Sequence, residues 1–505
     1  MTFLLASFAM FLGAFCLAFV PRTAFQRRCI ACGGVVTGSF LGCIPSVPVL
    51  ARGGSFTATL AAPIPGLHVA IGLDPLSAFF LVAIFGLSGC VGMYSWGYVK
   101  DQPRLHRSLP FYPLLVAAMA AVVVARDGFF FLMAWEVMSL ASFFLVTAEH
   151  EIREVRHAGW VYLVATHLAT AFLLAFFALL YQQAGTFSFE AFARLGPLAP
   201  TLAGLLFAFA LIGFGTKAGI VPLHVWLPHA HPAAPSDISA LMSGVMIKTG
   251  IYGILRTVTF LGTPPLWWGE LLIAVGILSA VLGVLYALMQ HDLKRLLAYH
   301  SVENIGIIVI GVGLGLIGMT LSQPVLTVLG FGGALFHVWN HAIFKGLLFL
   351  GAGSVIHATH TRSIDRLGGL IKNMPVTGAT FLIASIAICG LPPLNGFISE
   401  WLIYVGLFQG VTGLSHGPLF FSIAGIVGIA FAGGLAVACF TKVIGVVCGH
   451  DLPDAIYRLL LCGAARGGLP VALETPRARN ETGGVFPSTR EFLGTYGGPC
   501  RTETL

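Results

Sequence analysis

His337, His341 and Lys345 stand four residues apart in the run ALFHVWNHAIFKGLLF, residues 334–349. On a helix that step returns side chains to nearly one face, each about 6 Å above the last. Imidazole exchanges protons near neutrality, and a lysine amine removed from water can join it. The flanks are apolar enough to sit in lipid, so the row reads as three proton stops inside a membrane. Four more ionisable groups lie within apolar runs: Glu136, Lys217, Lys248 and Glu400. Each charge near a bilayer centre costs roughly 2.5–3.5 kcal/mol on insertion scales, which makes such residues markers of ion pathways. Glycine follows each lysine closely, in TKAG (216–219), IKTG (247–250) and FKGL (344–347). It leaves room for water or lets another helix pack tightly. Arg256, near the end of its run, has a second reading as a packing salt bridge or a side chain that snorkels to the interface.

Other chemistry is argued against. His224, His229 and His231 crowd one short stretch near Asp237. They are interleaved with proline, and no nearby cysteine completes a shell, so no metal is expected. Cys29 and Cys32 form a lone CxxC without a second pair, which speaks against zinc or an Fe–S cluster. No flavin, nickel or nucleotide fingerprint is present, so no cofactor is expected and redox chemistry would belong to partner subunits.

The elements that must position these groups follow from composition. The 505 residues are 57% hydrophobic and only 9% charged, against roughly 25% charged in soluble domains. Mean hydropathy is +0.91. Apolar segments of about 20 residues recur throughout. We expect an all-α polytopic membrane protein of about thirteen transmembrane helices, over 2–20, 29–50, 75–99, 109–125, 129–148, 158–181, 202–221, 237–259, 268–289, 299–318, 325–354, 376–408 and 418–448. The first run has no basic residues before it and no small-residue cleavage site, so it reads as a span rather than a signal peptide. Basic residues gather in alternate loops: Arg22, Arg27 and Arg28; Lys100, Arg104 and Arg107; Arg153 and Arg156; Lys294 and Arg295; Arg362, Arg366 and Lys372. The positive-inside rule puts those loops in the cytoplasm and the N-terminus outside. The same loops produce the net charge of +7, so no nucleic acid or other acidic partner is implied.

Two spans are interrupted. GIVPLHVWLPHAHPAAP (219–235) carries Pro222 and Pro228, and GLPPLNGF (390–397) carries Pro392 and Pro393. Proline cannot continue an ordinary helix, so these four read as broken-helix hinges. The breaks fall five spans apart, which predicts two inverted five-helix repeats with a site at the midplane. The expected organisation is N-terminal transmembrane helices over 1–108, a first repeat over 109–259, a second over 268–410, a C-terminal helix over 411–449, and a low-hydrophobicity tail over 450–505. That tail reads as disordered and cytoplasmic.

TKAGIVPLHVWLPHAHPAAPSDISALMSGVMIKTGIYGILR (216–256), HDLKRLLAYHSVENIG (291–306) and GLPPLNGFISEW (390–401) resemble the antiporter-like proton-translocating family. Its members include the large membrane-arm subunits of respiratory complex I and of Mrp antiporters. LAYHSVENIGII with LPPLNGFISEW looks most like the branch in membrane-bound [NiFe] hydrogenases of the formate hydrogenlyase and hydrogenase-4 type. The resemblance runs from about residue 70 to 448. It implies that Glu136 tunes the broken-helix lysine Lys217, that Lys248 connects onward, that His337, His341 and Lys345 form the central polar axis, and that Glu400 ends the path. Family members continue past ACFTKVIGVVCG into further spans, so the tail reads as a truncated or non-native end. The expected function is proton, or Na⁺, translocation for a hydrogenase or complex-I-like oxidoreductase. The expected partners are its other membrane and peripheral subunits and the lipid bilayer, in a bacterial or archaeal inner membrane. The alternatives are an Mrp-type antiporter without a redox partner and a small-solute permease.

Overall fold

The computed structural model describes residues 1–448 apart from 22, 62–67 and 415. The expected tail over 450–505 lies outside the described residues. Helices α1 (Thr2–Leu17) and α2 (Ala24–Arg52) lead to a two-stranded antiparallel hairpin, β1 (Phe56–Ala61) and β2 (His68–Leu73). Then come α3 (Pro75–Tyr98), α4 (Phe111–Val124), α5 (Gly128–Val146), α6 (Arg153–Ala184), the short α7 (Phe189–Ala193) and α8 (Pro200–Ala218). The chain continues with α9 (Leu227–Ala233), α10 (Ser236–Leu241), α11 (Lys248–Leu261), α12 (Leu266–Leu288), α13 (Leu293–Thr320) and α14 (Pro324–Thr359). A short α15 (Leu370–Asn373) precedes α16 (Pro375–Ile388), α17 (Asn395–Gly413) and α18 (His416–Cys448).

This is a polytopic helical membrane protein. Among the described residues ten helical segments are long and apolar enough to cross a bilayer, taking 236–261 as one. Helices α1, α4 and α16 are apolar but shorter. The fourteen residues of α4 rise about 21 Å against a hydrocarbon core of about 30 Å. Most of α4 is buried by protein rather than lipid, so it need not match that thickness. The hairpin departs from an all-α expectation. Its first strand, FTATLA, alternates threonine with apolar residues, a pattern that favours a strand. The expected spans over 29–50 and 75–99 leave this segment as a connecting loop.

Burial separates inner from outer helices. Every residue in the apolar window of 236–261 is buried, and 94% of that in α13. The other eight windows are 39–56% buried, as expected of helices that turn one side to lipid. Close approach at the centre depends on small residues. Gly269, Gly276 and Gly283, seven apart on α12, lie against the α13 backbone at Gly313, Gly306 and Glu303. A Cβ at Gly250 on α11 would stand 2.4 Å from the Phe214 carbonyl oxygen of α8. Gly250, beside Lys248, therefore serves tight helix packing.

Both breaks are present, with one correction. Helix α8 ends at Gly219, whose φ of +83° suits glycine. Pro222 lies in the turn that follows, but Pro228 sits in the first turn of α9 rather than at a hinge. Proline is tolerated there because that N–H has no helical partner. The expected break in the span over 376–408 separates two helices, α16 and α17, at Gly390, Pro392 and Pro393. A Cβ at Gly396 would overlap the Ala387 carbonyl at 1.9 Å, so glycine is what lets α17 start beside the end of α16.

At one end of the bundle α3 is anchored by charge. Asp74 caps it, accepting from Ser77 N at 2.8 Å. Arg256 donates to both Asp74 oxygens, at 2.7 and 3.0 Å, and Arg126 approaches at 3.2 Å. Arg256 thus does not snorkel; it ties α11 to the start of α3.

Candidate functional site

The first cluster is built on α5, α6 and α8. Lys217, one residue from the end of α8, is buried. Its Nζ donates to Ser139 Oγ at 3.0 Å and to Tyr162 OH at 3.1 Å. The rings of Trp135 and Tyr162 lie 5.6 and 5.4 Å from the ammonium, within cation–π range. Glu136 is on the same helix as Ser139 but points elsewhere. Its side chain is 30% exposed, and its Oε2 lies 3.5 Å from His167 Nε2 on α6. The expected contact between Glu136 and Lys217 is therefore not formed. The two feel each other's charge, with Ser139 and Tyr162 holding the lysine.

The central row is built on α11, α13, α14 and α17. A wide turn over Met242–Met246 precedes Lys248. It shifts the ladder so that Ile247 N donates to Met242 O at 3.1 Å. The Ser243 carbonyl accepts from Lys248 Nζ, which also contacts His341 Nδ1. Such wide turns recur at functional positions because they free backbone groups. His337, His341 and Lys345 are fully buried on one face of α14, and the two imidazole rings are 6.5 Å apart. His337 Nε2 meets Asn304 Oδ1 at 3.1 Å, and its Nδ1 meets Ser399 Oγ at 2.9 Å. Asn304 spends its amide on the His300 carbonyl, so its oxygen faces the ring as acceptor. Ser399 has a second acceptor, Gly396 O at 2.9 Å. One hydroxyl rotation therefore accommodates either the neutral ring or the imidazolium. Lys345 Nζ donates to Leu297 O at 2.5 Å and lies 5.8 Å from the Phe349 ring. The Glu400 carboxylate rests against Gly390 at the second break, where a Cβ would stand 2.4 Å from Oε2.

Sequence reasoning missed several members. Glu303 and His300, in contact on α13, are both buried. Glu303 falls inside the span expected over 299–318, and the cost argument that marked Glu136 and Glu400 marks it equally. Asn304, Ser399, Asn340, Ser139 and Tyr162 are neutral, so no charge distinguished them. Lys294 is buried too, donating to the Ala234 carbonyl. It lies in the first turn of α13, beyond the expected span boundary. The three clustered histidines part company. His224 faces Tyr299, His229 faces His157, and His231 is stacked between Trp226 and Phe349.

A cavity of about 1590 Å³ opens at one end of the bundle. Arg104, Arg153, His157, His229, Lys294 and Arg362 are among its lining residues. Arg104, Arg153, Lys294 and Arg362 belong to the basic groups that the positive-inside rule assigns to one side. Asp74 lies at the far end of α3 from this cavity, about 36 Å away along the helix axis.

The chain matches the family model described as NADH:quinone oxidoreductase/Mrp antiporter, TM, over residues 125–431. Residues 65–107 match the model of the complex I chain 5 N-terminus. It is 42% identical to hydrogenase-4 component B of Escherichia coli over 84% of this chain and 64% of that protein. It is 40% identical to formate hydrogenlyase subunit 3 of the same organism over 74% of this chain and 60% of that protein. The chain thus spans less than two thirds of either relative. Its fold is similar to a chain of the membrane-bound sulfane sulfur reductase, an archaeal respiratory membrane complex. The TM-score is 0.74 at 27% identity, covering 89% of this chain and 71% of that one.

Proposed function

The chain belongs to the NADH:quinone oxidoreductase/Mrp antiporter membrane-subunit family, and from that premise we propose that it translocates protons for a hydrogenase-like or complex-I-like oxidoreductase. Its partners are then the redox-active and other membrane subunits of that assembly. Its place is a prokaryotic inner membrane, with the N-terminus outside and the large cavity open to the cytoplasm. One observation carries this reading: a buried polar row sets Lys248 on His341, and Asn304 and Ser399 on His337, with the two imidazole rings 6.5 Å apart. Apolar packing would not retain so many ionisable groups at that depth.

Protons reach Lys217 or Lys248 from the cytoplasmic cavity, pass along His337 and His341 to Lys345, and leave near Glu400. Lys217 rests on Ser139 and Tyr162 with Glu136 apart, and movement of Glu136 toward it would hold its proton more tightly. The two repeats, 109–259 and 268–410, each contribute one broken helix to the path.

The test is flux. The assembled complex, reconstituted in sealed vesicles and supplied with its electron donor, should acidify the side opposite the cavity. Collapse of the signal by a protonophore identifies H⁺. A flux that survives the protonophore and requires Na⁺ would replace the proton with sodium. Turnover with no ion movement of either kind would overturn the reading.

A further inference from the structure

We propose that His300 and Glu303 form a proton-holding dyad that exchanges a proton with Lys345, an inference that rests on the proton-translocating reading above. The two side chains are one turn apart on α13, and His300 Nδ1 contacts Glu303 Oε2. Neither is accessible. His300 Nε2 has no hydrogen-bond partner. An orphaned nitrogen in a dry interior is unfavourable, by roughly 1–3 kcal/mol. Packing alone would be served better by an apolar side chain.

The surroundings define what the dyad can do. From α14, Lys345 donates to the Leu297 carbonyl, one turn before His300 on α13, and lies within electrostatic reach of Glu303. Glu400 on α17, Cys389 on α16 and Cys439 on α18 lie within electrostatic reach of Glu303. The His300 ring packs on Phe440 of α18, with ring centroids 4.6 Å apart. From α12 the glycine at 283 brings its backbone against Glu303: a Cβ there would stand 2.6 Å from Glu303 N. The dyad is thus fixed from behind, with the ionisable side chains of Lys345 and Glu400 within electrostatic reach of it.

Its proton count follows from the contact. One proton is shared between Nδ1 and Oε2, giving the pair a charge of −1 with the imidazole neutral and the carboxylate ionised. A protonated Lys345 carries +1. Transfer of its proton breaks one N–H bond on Nζ and forms one bond to the dyad. Lysine becomes a neutral amine, and the dyad becomes neutral overall. Both states have zero net charge, so the exchange avoids leaving a lone ion in low dielectric. A charge arriving at or leaving Glu400 shifts the balance, which couples the lysine to the second break.

The experiment uses the assembled complex in vesicles, reading protons moved per redox turnover for Glu303→Gln, Glu303→Asp and His300→Gln. Redox-linked infrared difference spectra of the same samples report the carboxylic C=O stretch. Wild-type pumping is the control: its absence would sink the functional reading itself. With that in place, Glu303→Gln should lower protons per turnover by about tenfold or more, short of the roughly hundredfold at the low end of what an acid–base group contributes directly. Glu303→Asp should retain part of the flux. His300→Gln should lower flux and displace a carboxyl band that Glu303→Gln removes. A purely structural carboxylate would give no such redox-linked band. Wild-type stoichiometry in assembled Glu303→Gln overturns the dyad while the functional reading stands. If Glu303→Gln fails to assemble, unchanged flux and an undisplaced band in His300→Gln overturn it equally.

Discussion

The two halves of the bundle treat a glutamate–histidine pair in opposite ways. In the first half Glu136 and His167 meet at 3.5 Å on a flank where the side chains are 30% and 49% exposed. The lysine of that half, Lys217, is held by neutral hydroxyls instead. In the second half His300 and Glu303 are sealed in the interior, with Lys345 and Glu400 around them. An ionisable pair on an outer flank can answer to whatever packs against it there. A pair in the interior can answer only to its own half. The first half thus presents its pair at the flank of the bundle, and the second encloses its own in the interior.

Lys345 gives the largest expected effect and the sharpest test of that contrast. Lys345→Ala should lower proton flux on the order of a hundredfold, as loss of an acid–base group does. Lys345→Arg should do nearly as badly, because arginine does not release its proton. Redox turnover in uncoupled vesicles should continue in both. Wild-type flux through Lys345→Arg would show that this position need not cycle.

Next comes the row that joins the halves. His337→Leu combined with His341→Leu should cut flux far more than either change alone, since water can bypass one missing stop. Leucine suits both helix and lipid, so assembly on native gels should persist. Full pumping by the double variant would reduce both rings to packing.

Glu136→Gln should cost less, about tenfold, because the carboxylate acts on Lys217 through its field rather than by contact. One tenfold step corresponds to about 1.4 kcal/mol. Comparing it with Glu303→Gln in one flux assay grades the two halves directly. A loss from Glu136→Gln equal to that from Lys345→Ala would erase the distinction drawn between flank and interior.

The smallest effect on transport is expected at Asp74, at the far end of α3. Asp74→Asn should leave flux per assembled complex unchanged and lower the unfolding temperature in detergent. It removes the partner of Arg256, at about 1–3 kcal/mol, discounted because a quarter of the Asp74 side chain is exposed. Burial alone would raise this carboxyl. The hydrogen bonds and charge of Arg256, with Arg126, outweigh it and hold the group below the usual carboxylate range. Its stabilisation is therefore full above the ordinary carboxylate value and is lost as pH falls below it. Thermal melts of wild type and Asp74→Asn should converge in acid. A gap that stays constant with pH would remove the ion pair from the account.

By itself the sequence determined the membrane class, the two breaks and the vertical row on α14. Apolar length, proline and four-residue spacing are local properties, and local chemistry fixes them whatever the chain packs against. It also marked four of the buried charges, Lys217, Lys248, Lys345 and Glu400, and the half-buried Glu136, through the cost of each in lipid. Only the tertiary structure decided who meets whom. Ser139 rather than Glu136 takes Lys217, because two residues three apart on α5 face different neighbours. Arg256 reaches Asp74 across 182 positions instead of snorkelling. Asn304 and Ser399 flank His337 although nothing in their own surroundings singles them out. The hairpin was equally hidden. Side-chain partners in a helical bundle are set by the rotation and approach of whole helices. Those depend on glycines and bulky residues spread over many spans, so no local window contains the answer.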